Sequence, residues 1–137
     1  MGLQIRLLEA NTNSEIDAAF ATITRERLDA LFVGNSPLFN SRRFQLVNLA
    51  SYHRIPATYS GRIYPEIGGL MSYGASVTDA SRQAGVYTGR ILRGARPADL
   101  PVLQSTKLEL VINHQSARML GLNIPDKLLV AADEVIE

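Results

Sequence analysis

The sequence predicts an α/β fold: a three-layer, open and mostly parallel sheet with helices on both faces. Two observations support this prediction. Short apolar segments alternate with longer stretches in which apolar residues recur every three or four positions, the period of an amphipathic helix. One short segment, ALFVG at residues 30–34, is apolar throughout, which is typical of a strand covered on both faces. Strands and helices in this alternation favour a parallel sheet with right-handed crossovers.

The first half of the chain reads as strand, helix, strand, helix and strand. Thr12 and Ser14 are each followed three residues later by an acidic residue, which is the spacing of a helix start. Phe44, Val47 and Ala50 recur at helical spacing, so we expect them to face the core. The predicted segments are strands over residues 4–9 and 30–34, helices over residues 12–27 and 41–53, and a helix exit and third strand over 54–59 with Pro56 at their boundary.

The second half begins with GGLMSYG at residues 68–74, a short apolar strand between glycines. Ser76 and Asp79 then have the spacing of a helix start. Residues 95–105 contain two prolines and no periodic pattern, so an extended segment is expected there. The predicted segments are a strand over residues 70–72, a helix over 77–93, a strand over 107–113, a short helix over 114–122, and a closing helical turn and strand over 123–137. Residues 1–137 form one domain in this interpretation.

Composition narrows the class of protein. With 137 residues, 46% hydrophobic and 20% charged, the chain fits a globular domain rather than a disordered one. The formal net charge is only +1, so we expect no nucleic-acid partner. The absence of cysteine excludes disulfides and thiolate metal sites, and no glycine-rich phosphate loop is present, so neither a metal nor a cofactor is expected. No apolar run approaches the ~20 residues of a membrane span, and residues 1–10 carry no export signal.

The motif GNSPL at residues 34–38 places a serine in a turn between an apolar strand and a helix, the setting of a nucleophile elbow. That elbow needs a second glycine, and Leu38 stands there instead. It also needs a histidine, and the chain has only His53 and His114, each at a predicted helix end. A small hydrolase that uses Ser36 is therefore an alternative, while the main expectation is a protein with no catalytic residues and no enzyme activity.

Ligand binding is a second interpretation of the same turn. Ligands of open α/β sheets bind beyond the carboxyl ends of the strands. Asn35, Ser36 and Asn40 would offer amide and hydroxyl groups there, although helix capping alone explains the three residues equally well.

Three tyrosines lie near the same strand ends. Tyr59 and Tyr73 would be able to stack on an aromatic or apolar ligand. Tyrosines in such places also form the rim of a core, and this second interpretation is preferred for Tyr64.

Three long blocks of the sequence resemble the C-terminal part of a family of ABC-transporter substrate-binding proteins. The blocks are LDALFVGNSPLFNSRRFQLVNLASYHRIPATY (28–59), GGLMSYGASVTDASRQAGVYTGRILRGARPADLPV (68–102) and KLELVINHQSARMLGLNIPDKLLVAADEVIE (107–137). They stand in the family's order and cover nearly the whole chain. The resemblance implies the type I periplasmic binding protein fold, in a family that includes tryptophan-binding and tyrosine-binding members.

The resemblance further implies two lobes joined by a hinge, with the ligand closed between them and this chain as the second lobe. Hinge crossings are implied near residues 70–76 and 99–107, where flanking glycines fit a crossing that bends, and the helix over 77–93 would pack on the first lobe. The implied contacts of a small ligand such as an amino acid are Asn35, Ser36, Asn40, Tyr59 and Tyr73, with Asp79 as a partner for an amino group.

The implied role is the solute-binding component of an ABC importer, which performs no chemistry and meets the permease subunits as part of a full-length parent. That parent is expected to be periplasmic or extracytoplasmic. Because the helix over 77–93 lacks its partner lobe here, we expect the isolated chain to form a homo-oligomer, a domain-swapped dimer that exchanges this helix. An effector-binding regulatory domain shares the fold and remains an alternative, although no basic helix-turn-helix accompanies it.

Overall fold

The computed structural model describes residues 2–103 and 107–137, which form one sheet flanked by helices and two 3₁₀ turns. The strands are β1 (Leu31–Val33), β2 (Ala57–Tyr59), β3 (Met71–Ala75), β4 (Leu108–Asn113) and β5 (Glu134–Ile136). The helices are α1 (Asn13–Glu26), α2 (Pro37–Ser41), α3 (Arg43–Tyr52), α4 (Val77–Leu92), α5 (His114–Met119) and α6 (Asp126–Ala131). The 3₁₀ turns are Pro65–Ile67 and Pro97–Asp99.

The five strands lie side by side in sequence order. β1, β2 and β3 are parallel, β4 runs antiparallel to β3, and β5 is parallel to β4. Tyr59 pairs with Val33 on one side and with Ser72 on the other, so the first three strands share one register. The α/β fold with a mostly parallel sheet is thus confirmed.

The hydrophobic core lies between α1, α3 and one face of the sheet. Alternate residues of a strand point to the same face, and Val33, Ala57 and Tyr59 all point into this core. The helices contribute Ile16, Phe20 and Ile23 from α1 and Leu46, Val47 and Ala50 from α3. Burial of each large side chain stabilises the fold by ~1.5 to 3 kcal/mol. Thr12 caps α1 by accepting a hydrogen bond from the Glu15 amide, as the sequence predicts.

The strand predicted over residues 4–9 is wrong. A strand needs a hydrogen-bonded neighbour, and within the described part of the chain residues 2–10 share no backbone–backbone hydrogen bond with any strand. Residues 2–7 are all exposed, and only Leu8 and Ala10 pack on the core. A strand-like sequence alone does not supply a partner strand.

Two further expectations are wrong in part. The helix predicted over residues 41–53 begins earlier and is interrupted at Arg42, so it forms α2 and α3. Val47 and Ala50 are buried as expected, but Phe44 is 56% exposed because it lies on the solvent side of α3, with the Arg43 guanidinium over its ring. β1 is covered on one face only, since Phe32 on its other face is largely exposed.

α4 has the predicted bounds but packs little against the rest of the chain. Ser76 caps it by accepting a hydrogen bond from the Asp79 amide, and no residue of the helix is buried. The returning segment touches α4 where the Tyr87 hydroxyl donates to the Pro101 carbonyl at 2.7 Å. The expected hinge crossing near 99–107 is described only in part, because residues 104–106 lie outside the described residues. None of the described helices is both long and apolar enough to cross a bilayer.

The glycines around β3 are required by packing more than by flexibility. Gly68 has the left-handed φ of 98° that ends the Pro65–Ile67 turn. A Cβ on Gly69 would lie 2.8 Å from the Tyr64 carbonyl oxygen and 2.9 Å from the Tyr59 ring. A Cβ on Gly74 would overlap the carbonyl oxygen of Ser60. Both positions therefore exclude side chains because neighbouring backbone occupies the space.

Replacement of Gly69 by alanine tests this packing. We expect Gly69→Ala to destabilise the fold by ~1 to 3 kcal/mol in urea unfolding, because overpacking forces the Tyr59 ring or the backbone of Tyr64 to move. Gly85→Ala in α4 is the matched control, since nothing lies within 4 Å of its added Cβ; it should stabilise by up to ~1 kcal/mol through helix propensity. Equal effects of the two substitutions would contradict the packing argument.

Candidate functional site

The loops that follow β1, β2 and β3 meet at one edge of the sheet. Parallel strands end at the same edge. Gly34 follows Val33 and Tyr73 follows Ser72, and both Val33 and Ser72 pair with Tyr59. Gly34 and Tyr73 are therefore level with each other, two strand spacings or roughly 10 Å apart. We call this region, the ends of β1–β3 with the loops that follow β1 and β2, the carboxyl edge.

Some of the polar side chains in the loop after β1 are held by hydrogen bonds. Asn40 donates from Nδ2 to Oδ1 of Asn35 at 3.3 Å, and its own Oδ1 accepts the Tyr64 hydroxyl at 3.2 Å. Ser36 occupies the N-cap position of α2, yet its hydroxyl makes no capping hydrogen bond. Asn35 is exposed and Ser36 half-buried. The Ser36 side chain therefore does not cap α2. The Asn40 side chain holds the loop in place through its two hydrogen bonds.

Tyr59 lies in the core, not at the surface where a ligand contact was expected. Its side chain is 1% exposed and stacks on Tyr64 with 4.4 Å between ring centroids. Burial, with a smaller effect of the neighbouring Tyr64, raises the pKa of the Tyr59 phenol well above its usual range. A side chain so enclosed does not reach a ligand at the carboxyl edge. Tyr64 is buried as well, which agrees with the core position preferred for it.

Tyr73 is the accessible tyrosine of the carboxyl edge. It follows Ser72 in β3, so it points to the face opposite Tyr59, and it is 52% exposed. Phe32 points to that same face and is also largely exposed. Phe32 could not be singled out from the sequence, because an apolar residue in an apolar strand looks the same whether its face is covered or open.

Asp79 is already engaged within its own helix. Its carboxylate accepts hydrogen bonds from Arg82 at 2.8 Å and from Gln83 at 2.6 Å. These two bonds, the one from Arg82 first, hold the pKa of Asp79 below its ordinary value. The side chain is 15% exposed. An amino group of a ligand would have to compete with both partners, so the structure gives Asp79 a role in the first turn of α4.

The arrangement of the histidines argues against a nucleophile at Ser36. His53, at the end of α3, has its Nδ1 3.2 Å from the hydroxyl of Thr24. His114 follows β4, whose carboxyl end lies at the opposite edge of the sheet because β4 is antiparallel to β3. Neither histidine is therefore placed to activate Ser36. Within residues 2–103 and 107–137, no three His, Asp or Glu side chains come together as a metal site.

An open α/β sheet with polar and aromatic side chains at the carboxyl ends of its parallel strands is the arrangement of a small-molecule-binding domain. The family comparison agrees with this class. Residues 1–136 match the model of the family described as ABC transporter substrate binding protein, and the chain belongs to this family. Among curated proteins, none matches the chain significantly.

Solved structures share the fold. An ABC domain from Streptococcus pneumonia in complex with L-Trp has a TM-score of 0.85 at 29% identity, over 98% of this chain and 46% of that one. A conserved domain protein from Vibrio cholerae O1 biovar El Tor has a TM-score of 0.79 at 25% identity, over 92% and 42%. A ligand-free, open substrate binding protein with adhesive properties from Clostridium difficile has a TM-score of 0.65 at 21% identity, over 93% and 42%. This chain therefore spans less than half the length of each of these proteins.

The buried tyrosine pair predicts a pH dependence of stability. Burial raises the pKa values of Tyr59 and Tyr64 above the ordinary 10. The unfolded chain ionises near that ordinary value while the folded chain keeps its protons, so the stabilisation is complete below pH 10 and is lost as the pH rises above it. Urea unfolding at about pH 8 and about pH 11 should show this loss.

Tyr59→Phe separates this effect from general alkaline unfolding. The variant cannot ionise at position 59, so its stability should fall less between the two pH values. Tyr52→Phe is the control, because Tyr52 is 82% exposed. An identical loss in wild type and in Tyr59→Phe would contradict the prediction.

Proposed function

We propose that this chain is the ligand-binding lobe of a solute-binding component of an ABC importer, and that it holds a small ligand such as an amino acid at its carboxyl edge. The observation that carries this proposal is the likeness to the pneumococcal ABC domain, which was solved with L-Trp and matches 98% of this chain. The family membership supports the transport role. The chain spans 46% of that protein, so a complete binding site would include residues outside this lobe.

Within the lobe, Tyr73 is the main candidate contact. Its ring is exposed and stands level with the start of the loop after β1, where Asn35 offers an amide and Ser36 a hydroxyl that makes no capping bond. An aromatic face beside a few polar groups suits a ligand with an apolar body and a polar end. Asn40 supports this loop through its bonds to Asn35 and Tyr64, so we assign it a positioning role.

The proposed function involves no covalent chemistry. A ligand that contacts two lobes binds the closed arrangement better than the open one, and it shifts the population by that difference in affinity. The permease subunits of the importer would then recognise the closed form of the full-length parent outside the cytoplasm. Catalysis by Ser36 has no support in the geometry, because neither histidine approaches it.

L-Tryptophan is a convenient probe for the amino-acid proposal, because the chain contains no tryptophan. The emission of the ligand can therefore be excited without interference from an indole of the protein. We expect the fluorescence anisotropy of L-tryptophan to rise when the chain is added. Tyr73→Ala should weaken binding by up to about tenfold, through loss of an aromatic contact.

Tyr52→Ala is the matched control, since Tyr52 is also exposed but packs edge-on against His53 at the end of α3. It should bind L-tryptophan as the wild type does. The amino-acid proposal fails if the anisotropy stays constant up to millimolar protein, and the site assignment fails if the two variants bind alike.

We also propose that a second copy of the chain covers α4 when the lobe is alone. Val77, Ala80, Ala84, Tyr87 and Ile91 share one side of this helix, and none of them is buried. Between α4 and residues 97–103 lies an open groove of about 380 Å³ with a mainly apolar lining. Exposed apolar area of this kind favours association, and exchange of α4 between two copies would bury it in both.

Sedimentation at micromolar concentrations tests the association. We expect a dimer for the wild type and a monomer for Ala84→Glu, because the variant puts a charge into the apolar groove. Thr78→Glu is the control, since Thr78 is exposed on the opposite side of α4 and should leave the dimer intact. A monomeric wild type would overturn the proposal.

A further inference from the structure

One arginine in the loop after β2 joins three separate parts of the chain. Arg62 donates from Nε to Glu66 at 2.8 Å and from Nη2 to Glu134 at 2.9 Å, and its Nη1 lies 3.6 Å from Glu109. Glu66 belongs to the turn before β3, Glu109 to β4 and Glu134 to β5. The hydrogen bond to Glu66, ahead of the charges of Glu134 and Glu109, raises the pKa of Arg62. The guanidinium thus stays charged and uses a different nitrogen for each carboxylate.

The backbone of the same loop rests on β3. The Ser60 carbonyl fills the space that a side chain at position 74 would need. Gly74 is the direct cross-strand partner of Glu109. The loop is therefore attached twice to one residue pair of the β3–β4 ladder, by a backbone contact on Gly74 and by an ion pair to Glu109.

We propose that Arg62 is a positioning residue, which together with Gly74 fixes the loop after β2 to the β3–β4 ladder and so sets the shape of the carboxyl edge. We call the set Ser60, Arg62, Gly74, Glu109 and Glu134 the Arg62 clamp. The ligand part of this inference rests on the proposed function, since the loop after β2 lies at the edge where the ligand would bind. A shift of β3 against β4 is transmitted directly to that loop.

The charges explain why an arginine is needed. Glu66, Glu109 and Glu134 converge on one cation, and among the described residues no other base lies within ion-pair distance of them. Without Arg62 the three carboxylates repel one another, and the loop and β5 move apart. Lysine presents one ammonium on a flexible stem and cannot hold three carboxylates in the fixed directions of a guanidinium. Exposed ion pairs add little to stability, so the clamp acts on position more than on folding.

Amide hydrogen exchange followed residue by residue tests the clamp without any ligand. The reporters are the amide of Tyr64, which donates to Gly61, and the amide of Asp133, which donates to Leu110 beside β5. Arg62→Met and Arg62→Lys should both raise the exchange rates of these amides by about fivefold or more, with the core amides of α1 unchanged. Arg25→Met is the matched control, because Arg25 is an exposed arginine that, among the described residues, forms an ion pair only with the adjacent Glu26.

Glu134→Gln is the second variant and keeps the arginine. It removes only the charge of the tie to β5 and so weakens that tie, so Asp133 should exchange faster while Tyr64 stays protected. Unchanged exchange at Tyr64 in Arg62→Met would overturn the clamp. Faster exchange at every amide, including α1, would also overturn it, because Arg62 would then act on global stability.

Titration with L-tryptophan separates the clamp from the proposed function. If the wild type binds L-tryptophan, Arg62→Met should bind it more weakly than Arg25→Met at equal Tm, and equal affinities would overturn the effect on the carboxyl edge. If the wild type does not bind L-tryptophan while the exchange results hold, the clamp stands and the amino-acid proposal fails.

Discussion

The stacking of Tyr59 on Tyr64 is the contact on which the carboxyl edge depends. Tyr59 lies in the middle of the three parallel strands and pairs with both neighbours, so its position fixes the register of β1 and β3. Tyr64 stacks on Tyr59, and the Tyr64 hydroxyl donates a hydrogen bond to Asn40 in the loop after β1. A stacked aromatic pair contributes ~0.5 to 1.5 kcal/mol beyond its burial. One buried pair thus connects the centre of the sheet to the polar loop at its edge.

The stack also explains why the stretch GGLMSYG is rich in glycine. A Cβ at position 69 would collide with the ring of Tyr59 and the carbonyl of Tyr64, and a Cβ at position 74 would collide with Ser60. Neither residue has a positive φ, so neither is required for an unusual backbone conformation. Glycines that flank a strand are easily taken as flexible joints. In this chain they allow a tyrosine stack and a loop to pack closely against the backbone at β3.

The parts of the fold that could be predicted are those set by local chemistry. The caps at Thr12 and Ser76 and the apolar stripe of α1 lie within a few residues of each other, so the sequence alone locates α1 and α4. The predictions failed where the structure of a segment depends on residues that are far away in the sequence. Residues 4–9 look like a strand but pair with none of the described strands, and Phe32 looks buried but lies on an open face.

The same limit applies to the candidate site. The rule that ligands bind beyond the carboxyl ends of parallel strands led to Asn35, Ser36 and Tyr73, because it needs only the order of strands and loops. It could not separate Tyr59 from Tyr73. Both tyrosines were expected at the ends of strands, and only the pairing of Tyr59 with Ser72 shows that they point to opposite faces. Burial of Tyr59 then depends on Tyr64, which reaches it through a turn that no local pattern specifies.

The reversal of direction between β3 and β4 ties the carboxyl edge to α4. β3 ends at that edge and α4 begins directly after it, while β4 returns from the same place, as the hydrogen bond from the Ser76 amide to the Lys107 carbonyl at 2.9 Å shows. The chain therefore leaves and re-enters the sheet on the side of Asn35 and Tyr73. The start of α4, the candidate ligand contacts and the Arg62 clamp therefore all lie at this one edge of the sheet.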